Sequence, residues 1–138
     1  MKIRCLVLDD NPDMHDLLKE ILKPRGYDTS FYKSPVLCPV YQNKDSCNRK
    51  ERCREIGIFD NNMPGMTGLG FIELQLKKGC KCIRGNTAIM SGDFLEEDLK
   101  KAKRLGCKIF KKPFKLEELE GWLDECEKRV AQAGKSSL

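Results

Sequence analysis

The sequence predicts an α/β fold, a doubly wound parallel sheet of five strands with helices on both faces. Three observations predict it. Short apolar runs recur along the chain, amphipathic segments of helical period stand between them, and polar, chemically active residues end the runs. Such alternation makes a parallel sheet, because each helix carries the chain back to the edge where the next strand begins.

Residues 3–8 are apolar apart from Arg4 and stop at Asp9-Asp10-Asn11-Pro12, which reads as a first buried strand. Asn11 suits a helix N-cap, with Pro12 at the first helical position and Asp13 favourable to the helix dipole. Met14, Leu17, Leu18, Ile21 and Leu22 then form one apolar stripe, ended by Pro24 and Gly26. A short second strand is expected over residues 27–32. From 34 to 55 the pattern fails: prolines, polar residues and cysteines leave no amphipathic face, so an atypical segment stands where a second helix would belong. Regularity returns with a strand over 56–59 that delivers Asp60, followed by a Gly- and Pro-rich turn over 61–68. The next helix presents Leu69, Ile72 and Leu76 and stops at Gly79. Residues 87–90 are a fourth strand ending on Ser91, with Asp93 a candidate cap for a helix presenting Leu95, Leu99 and Ala102. Residues 107–110 are the last strand, leading to Lys111-Lys112-Pro113. The final helix shows Leu116, Leu119, Leu123, Cys126 and Val130. One domain is expected over residues 1–130, with 131–138 a disordered tail.

A chain of 138 residues holds one core and has no room for a second folded unit, so its output is expected through a partner. The first apolar run is too short for a membrane span or a signal segment, which predicts a soluble cytoplasmic protein without membrane contact. The net charge of +5 comes in blocks: basic residues crowd positions 100–115 and acidic ones positions 117–127. No aromatic interleaving or groove-reading motif accompanies the basic block, so a solvated helix face is expected rather than a nucleic-acid site.

In a doubly wound sheet, ligands bind beyond the carboxyl ends of the strands. Asp9, Asp10, Asp60, Ser91 and Lys112 all end strands and would meet in one crevice. Three carboxylates there repel one another, by roughly 4 kcal/mol per pair at about 4 Å and an effective dielectric of about 20. The crevice therefore calls for a cation. Hard oxygen ligands with no histidine or thiolate among them favour Mg2+, and Lys112 adds a second positive charge. A carboxylate beside both can attack phosphorus, since the cations stabilise the transferring oxygens, to which Ser91 can donate a hydrogen bond.

With Met63-Pro64-Gly65-Met66-Thr67-Gly68 after Asp60, and Lys112-Pro113 after the last strand, this set closely resembles the receiver domain of bacterial response regulators. The likeness is to stand-alone receivers of the chemotaxis-regulator kind and covers residues 1 to about 130. It implies a flavodoxin-like strand order 2-1-3-4-5 and a role in two-component signal transduction. By the same resemblance, Asp60 accepts a phosphoryl group from a histidine kinase or phosphotransfer protein. Asp10, Asp60 and the Asn62 backbone carbonyl would hold Mg2+, with Asp9 acting through the metal's water shell. Ser91 would be a hydroxyl switch, and Lys112 would contact the phosphoryl group beside a cis Lys112-Pro113 peptide. The face of the last two helices and the fifth strand would meet a downstream protein. The chain would catalyse its own phosphorylation and dephosphorylation but turn over no external substrate. Ile109 stands where the family has a rotating aromatic, with Phe110 next to it. Phosphatases of the haloacid dehalogenase class also use an aspartate after a first strand, but they need a second aspartate two positions on, where Asn11 follows Asp10, and a cap domain.

Eight cysteines are many for a cytosolic chain, where thiols stay reduced. Cys5, Cys107 and Cys126 fall on apolar elements and read as small core residues. Cys38, Cys47, Cys53, Cys80 and Cys82 gather in irregular segments at the amino-terminal end of the sheet. A tetrahedral Zn2+ site of Cys38, Cys47, Cys53 and Cys80, with Cys82 as substitute, would order the atypical segment directly. An iron-sulfur cluster or a redox disulfide would use the same residues, and a metal- or redox-sensing receiver-like module is the alternative function. His15 lies off the first helix's apolar stripe and is expected at the surface, while Trp122 is expected to pack.

Overall fold

The structure, a computed structural model, describes residues 2–35 and 54–136. Its elements, in order, are β1 (Arg4–Leu8), α1 (Pro12–Leu22), a 3-10 turn (Lys23–Arg25), β2 (Asp28–Tyr32), β3 (Ile56–Asp60), α2 (Gly68–Lys77), β4 (Thr87–Ser91), α3 (Glu96–Leu105), β5 (Lys108–Lys111) and α4 (Leu116–Ser136). The strands form one 5-stranded sheet in the order β2-β1-β3-β4-β5, and every neighbouring pair is parallel. This is the expected doubly wound arrangement.

The apolar runs are continuous because the central strands are covered on both faces, and successive side chains point to opposite ones. Cys5, Val7, Ile56, Ile58, Ala88, Met90 and Phe110 join a core under α1 and α4, with Leu18, Leu22, Leu119, Trp122 and Leu123. Leu6, Leu8, Phe59 and Ile89 join a second core under α2 and α3, with Leu69, Phe71, Ile72 and Ala102. Trp122 closes edge-on against Phe110, ring centres 5.8 Å apart, and Phe71 against Phe59 at 5.4 Å. Each such buried aromatic is worth about 1.5–3 kcal/mol of apolar transfer. β2 and β5 are the two partly exposed edge strands.

Helix ends follow local chemistry. Asn11 caps α1 by accepting from Asp13 N, as expected. Thr67 caps α2 by accepting from Gly70 N. Asp93 does not cap α3: Asp98 Oδ2 receives the Leu95 N–H instead, and Leu95, expected on the apolar stripe, is 65 % exposed. Leu76 and Leu116, also assigned to stripes, are exposed too, each lying at an end of its helix where the core has run out. Cys107 precedes β5; its N–H returns to Ala102 O and closes α3 around Gly106, whose φ of 78° supplies the left-handed turn. Residues 131–136 continue α4, so that part of the expected disordered tail is helical. The register is tied at the amino-terminal edge by Glu55, buried between Arg4 N, Nε and Nη2. Among the described residues no helix is long and apolar enough to cross a membrane. Most of the atypical segment 34–55 lies outside the described residues.

Two glycines on helices separate packing from propensity. A Cβ on Gly68 would sit 2.5 Å from Asp60 O and 2.5 Å from Ile89 Cδ1, whereas one on Gly121 meets nothing within 4 Å. Gly68→Ala is expected to destabilise by about 1–3 kcal/mol through overpacking. Gly121→Ala is expected to stabilise by about 0.5–1 kcal/mol through helix propensity. Denaturant melts of the two variants check the opposite signs.

Candidate functional site

Strand register alone gathers the crevice. Leu8 pairs with Phe59, so the next residues, Asp9 and Asp60, emerge side by side. Asp60 pairs with Met90, and Asn61 N donates to Met90 O, which sets Ser91 beside the Asp60–Asn62 turn. Ser91 pairs with Lys111, and Lys112 N donates to Ser91 O, bringing the lysine to the same end. The Lys112-Pro113 peptide is cis, as expected.

Asp9 is fully buried and Asp60 is 4 % exposed. Lys112 Nζ stands between them, donating to Asp9 Oδ2 at 3.2 Å and to Asp60 Oδ1 at 3.4 Å. Asp9 Oδ1 also accepts from Asn11 N at 2.9 Å. Asp10 is exposed at the crevice mouth, and ligand oxygens of Asp9, Asp10 and Asp60 all lie within 4.8 Å of one another. The carboxyl of Asp60 is held above its usual range, first by burial and then by the charge of Asp9, with Lys112 working in the other direction. Among the described residues one ammonium thus faces three carboxylates, two of them buried. That surplus of hard negative oxygen fits a small divalent cation such as Mg2+.

Ser91 and Asn62 also reach the crevice, but they are joined through a residue that the sequence presents as a helix cap. Asp93 Oδ1 accepts from Ser91 Oγ at 2.8 Å and from Asn62 Nδ2 at 2.8 Å. The only advance signal was its position two residues after a serine, the spacing of a side-chain turn. His15, expected at the surface, also differs. It is half-buried, its Nε2–H donates to Asp9 O, and its ring lies 5.3 Å from that of Phe31, so it braces the backbone that carries Asp9. Asn61 is buried and its Oδ1 accepts from Leu69 N, which fixes α2 to the turn after Asp60. Beside Lys112 an apolar hollow of about 340 Å³ is lined by Met14, Leu17, Pro113 and Phe114.

Phe110 and Ile109 lie on opposite faces of β5. Phe110 points into the core under α4, while Ile109 packs with α3. Of the thiols, Cys5 and Cys126 are buried core residues, as expected, and Cys107 is half-buried against the second core. Burial pushes the Cys107 and Cys126 thiols up to about 11, so both stay protonated at neutral pH. Cys38, Cys47 and Cys53 lie outside the described residues. Cys80 and Cys82 are half-buried, just after α2, where Cys80 N donates to Gln75 O.

No protein-family model matches the sequence, and no curated protein matches it. Solved structures do match the fold. The signal receiver domain of a Vibrio parahaemolyticus repressor protein has a TM-score of 0.78 at 15% identity, over 99% of this chain and 98% of that one. The receiver domain of a Francisella response regulator gives 0.73 at 20% identity, covering 94% and 99%. A chemotaxis protein of Vibrio cholerae gives 0.69 at 19% identity, covering 91% and 99%. The chain therefore has the receiver-domain fold over nearly its whole length.

The raised carboxyl of Asp60 has a definite sign in stability. Folding favours its protonated form, so this contribution is present at low pH and is lost as pH rises through the folded value. In metal-free buffer at pH 7, Asp60→Asn is expected to melt roughly 3 °C higher than the parent chain. The gap should close below the ordinary carboxylate range near pH 4. Calorimetric scans across pH check it, and a variant that melts lower at pH 7 would contradict the electrostatics.

Proposed function

We propose that this chain is a response-regulator receiver of two-component signalling, with Asp60 as the phospho-acceptor. The observation that carries the reading is Lys112 Nζ held between two buried carboxylates at the carboxyl end of the sheet. A structural ion pair needs one carboxylate. Two, with a third at the mouth and a serine hydroxyl beside them, leave a site short of positive charge and open to a phosphate's partners.

Asp10, Asp60 and the Asn62 carbonyl would hold Mg2+, with Asp9 contributing through its water shell. When bound, the ion supplies charge to the oxygens of the transferring group. Asp60 is the nucleophile: its carboxylate oxygen forms the bond to phosphorus as the phosphorus–nitrogen bond of the donor's phosphohistidine breaks, and the electron pair leaves on the imidazole nitrogen. Lys112 shifts from the Asp60 carboxylate to the phosphoryl oxygens and keeps its contact with Asp9 Oδ2 behind it. The apolar hollow formed by Met14, Leu17, Pro113 and Phe114 gives the donor, a histidine kinase or phosphotransfer protein, a surface on which to seat beside the lysine. The phosphorylated chain then acts by binding a downstream protein and turns over no external substrate. The sensor alternative depends on five thiols of which only Cys80 and Cys82 fall among the described residues, so no observed geometry favours it.

Incubation with phosphoramidate and Mg2+ should add one phosphoryl group to the intact mass, and chelation or Asp60→Asn should abolish the gain. Lys112→Ala should slow loading about a hundredfold, the cost of losing one charged contact to the transferring group. A parent chain that stays unmodified would overturn the reading.

A further inference from the structure

The Ser91 hydroxyl has one proton to donate, and Asp93 already takes it. Ser91 Oγ lies 2.8 Å from Asp93 Oδ1. Its lone pairs are engaged as well, by Asp93 N at 3.1 Å and by Asn62 Nδ2 at 3.0 Å. The same Asn62 amide donates to Asp93 Oδ1 at 2.8 Å, which closes a ring of three residues. Ser91 is 1 % exposed, so water has little access to replace a lost partner, while Asp93 is exposed on the loop between β4 and α3. Asp93 Oδ1 is the shared carboxylate acceptor of the Ser91 and Asn62 donors, and a charged acceptor makes the stronger bond. A phosphoryl group brings acceptor oxygens and no donor. It can use the Ser91 proton only once the bond to Asp93 opens.

We infer that Asp93 is a latch, a positioning residue that commits the Ser91 hydroxyl to the β4–α3 loop in the unphosphorylated chain and yields it when a phosphoryl group on Asp60 competes. The inference rests on the acceptor reading of Asp60. Opening the latch also frees Asn62 from Asp93 and removes a tie between the sheet and the loop that leads into α3. The phosphoryl signal then reaches α3 through this loop, without an aromatic at position 109.

A double-mutant cycle tests it. Loading by phosphoramidate with Mg2+ is timed by intact mass in the parent chain, Asp93→Ala, Ser91→Ala and the double variant. Asp93→Ala should load about three- to tenfold faster, the worth of one net hydrogen bond, and the gain should vanish on the Ser91→Ala background. The same gain on both backgrounds would mean that only a repulsive charge had been removed, and it would overturn the latch. A second readout needs no phosphoryl group: three-bond couplings should show one Ser91 rotamer in the metal-free parent chain and averaged rotamers in Asp93→Ala. Equal averaging in both would overturn the latch even where loading proceeds. Failure of the parent chain to load, with the rotamer still locked, would instead overturn the acceptor reading.

Discussion

Asp9 and Asp60 are buried side by side with one ammonium between them, and the rest of the fold is arranged to keep that placement. Both carboxylates are buried, and among the described residues the Lys112 contacts at 3.2 and 3.4 Å bring them a compensating charge, with the Asn11 N–H adding a hydrogen bond to Asp9. Removing the lysine leaves two buried carboxylates facing each other uncompensated, which costs several times what an exposed ion pair contributes, whereas removing the Asp60 charge relieves part of the repulsion. The lysine comes from the far side of the sheet and reaches Asp9 only because β5 pairs with β4, β4 with β3 and β3 with β1. A slip of one residue at any of those ladders would turn a site residue toward the wrong face.

That dependence explains the division of the core. Alternate residues of the same strands feed two separate clusters, one under α1 and α4 and one under α2 and α3. Each register is therefore fixed from both faces, while the strand ends stay free to carry polar groups. Helix placement is set near the site as well: Gly68 admits the Asp60 carbonyl at a distance no Cβ would allow, and Asn61 holds Leu69 N. At the other end, Glu55 is buried against Arg4, and Arg129 Nε reaches Asn86 Oδ1 at 2.6 Å, so the loops opposite the crevice are held by polar contacts of their own.

Much of this was legible in the sequence because it is local. Continuous apolar runs ended by aspartate, serine and lysine, with helical stripes between them, are enough to place Asp9, Asp10, Asp60, Ser91 and Lys112 in one crevice. What was not legible depends on partners distant in the chain or on competition between nearby ones. Asp93 is as good a cap as Asp98 by composition, and only the position of Ser91 decides between them. His15 lies off the apolar stripe, yet it finds the Asp9 carbonyl six residues back. Glu55 is polar and looked irregular, but its partner stands 51 residues away. Leu95 fits a stripe by spacing and falls just before the helix begins, where no core faces it. Phe110 and Ile109 are neighbours in sequence and lie on opposite faces of the sheet, each in a different core.

The central claim is that Asp60 itself becomes the acyl phosphate. Borohydride reduction of the phosphodonor-treated chain, followed by peptide mapping, tests it most directly, because the reagent reduces an acyl phosphate and leaves free carboxylates intact. The account predicts a reduced side chain at position 60 and nowhere else. Reduction at Asp9, Asp10 or Asp93, with Asp60 untouched, would contradict it.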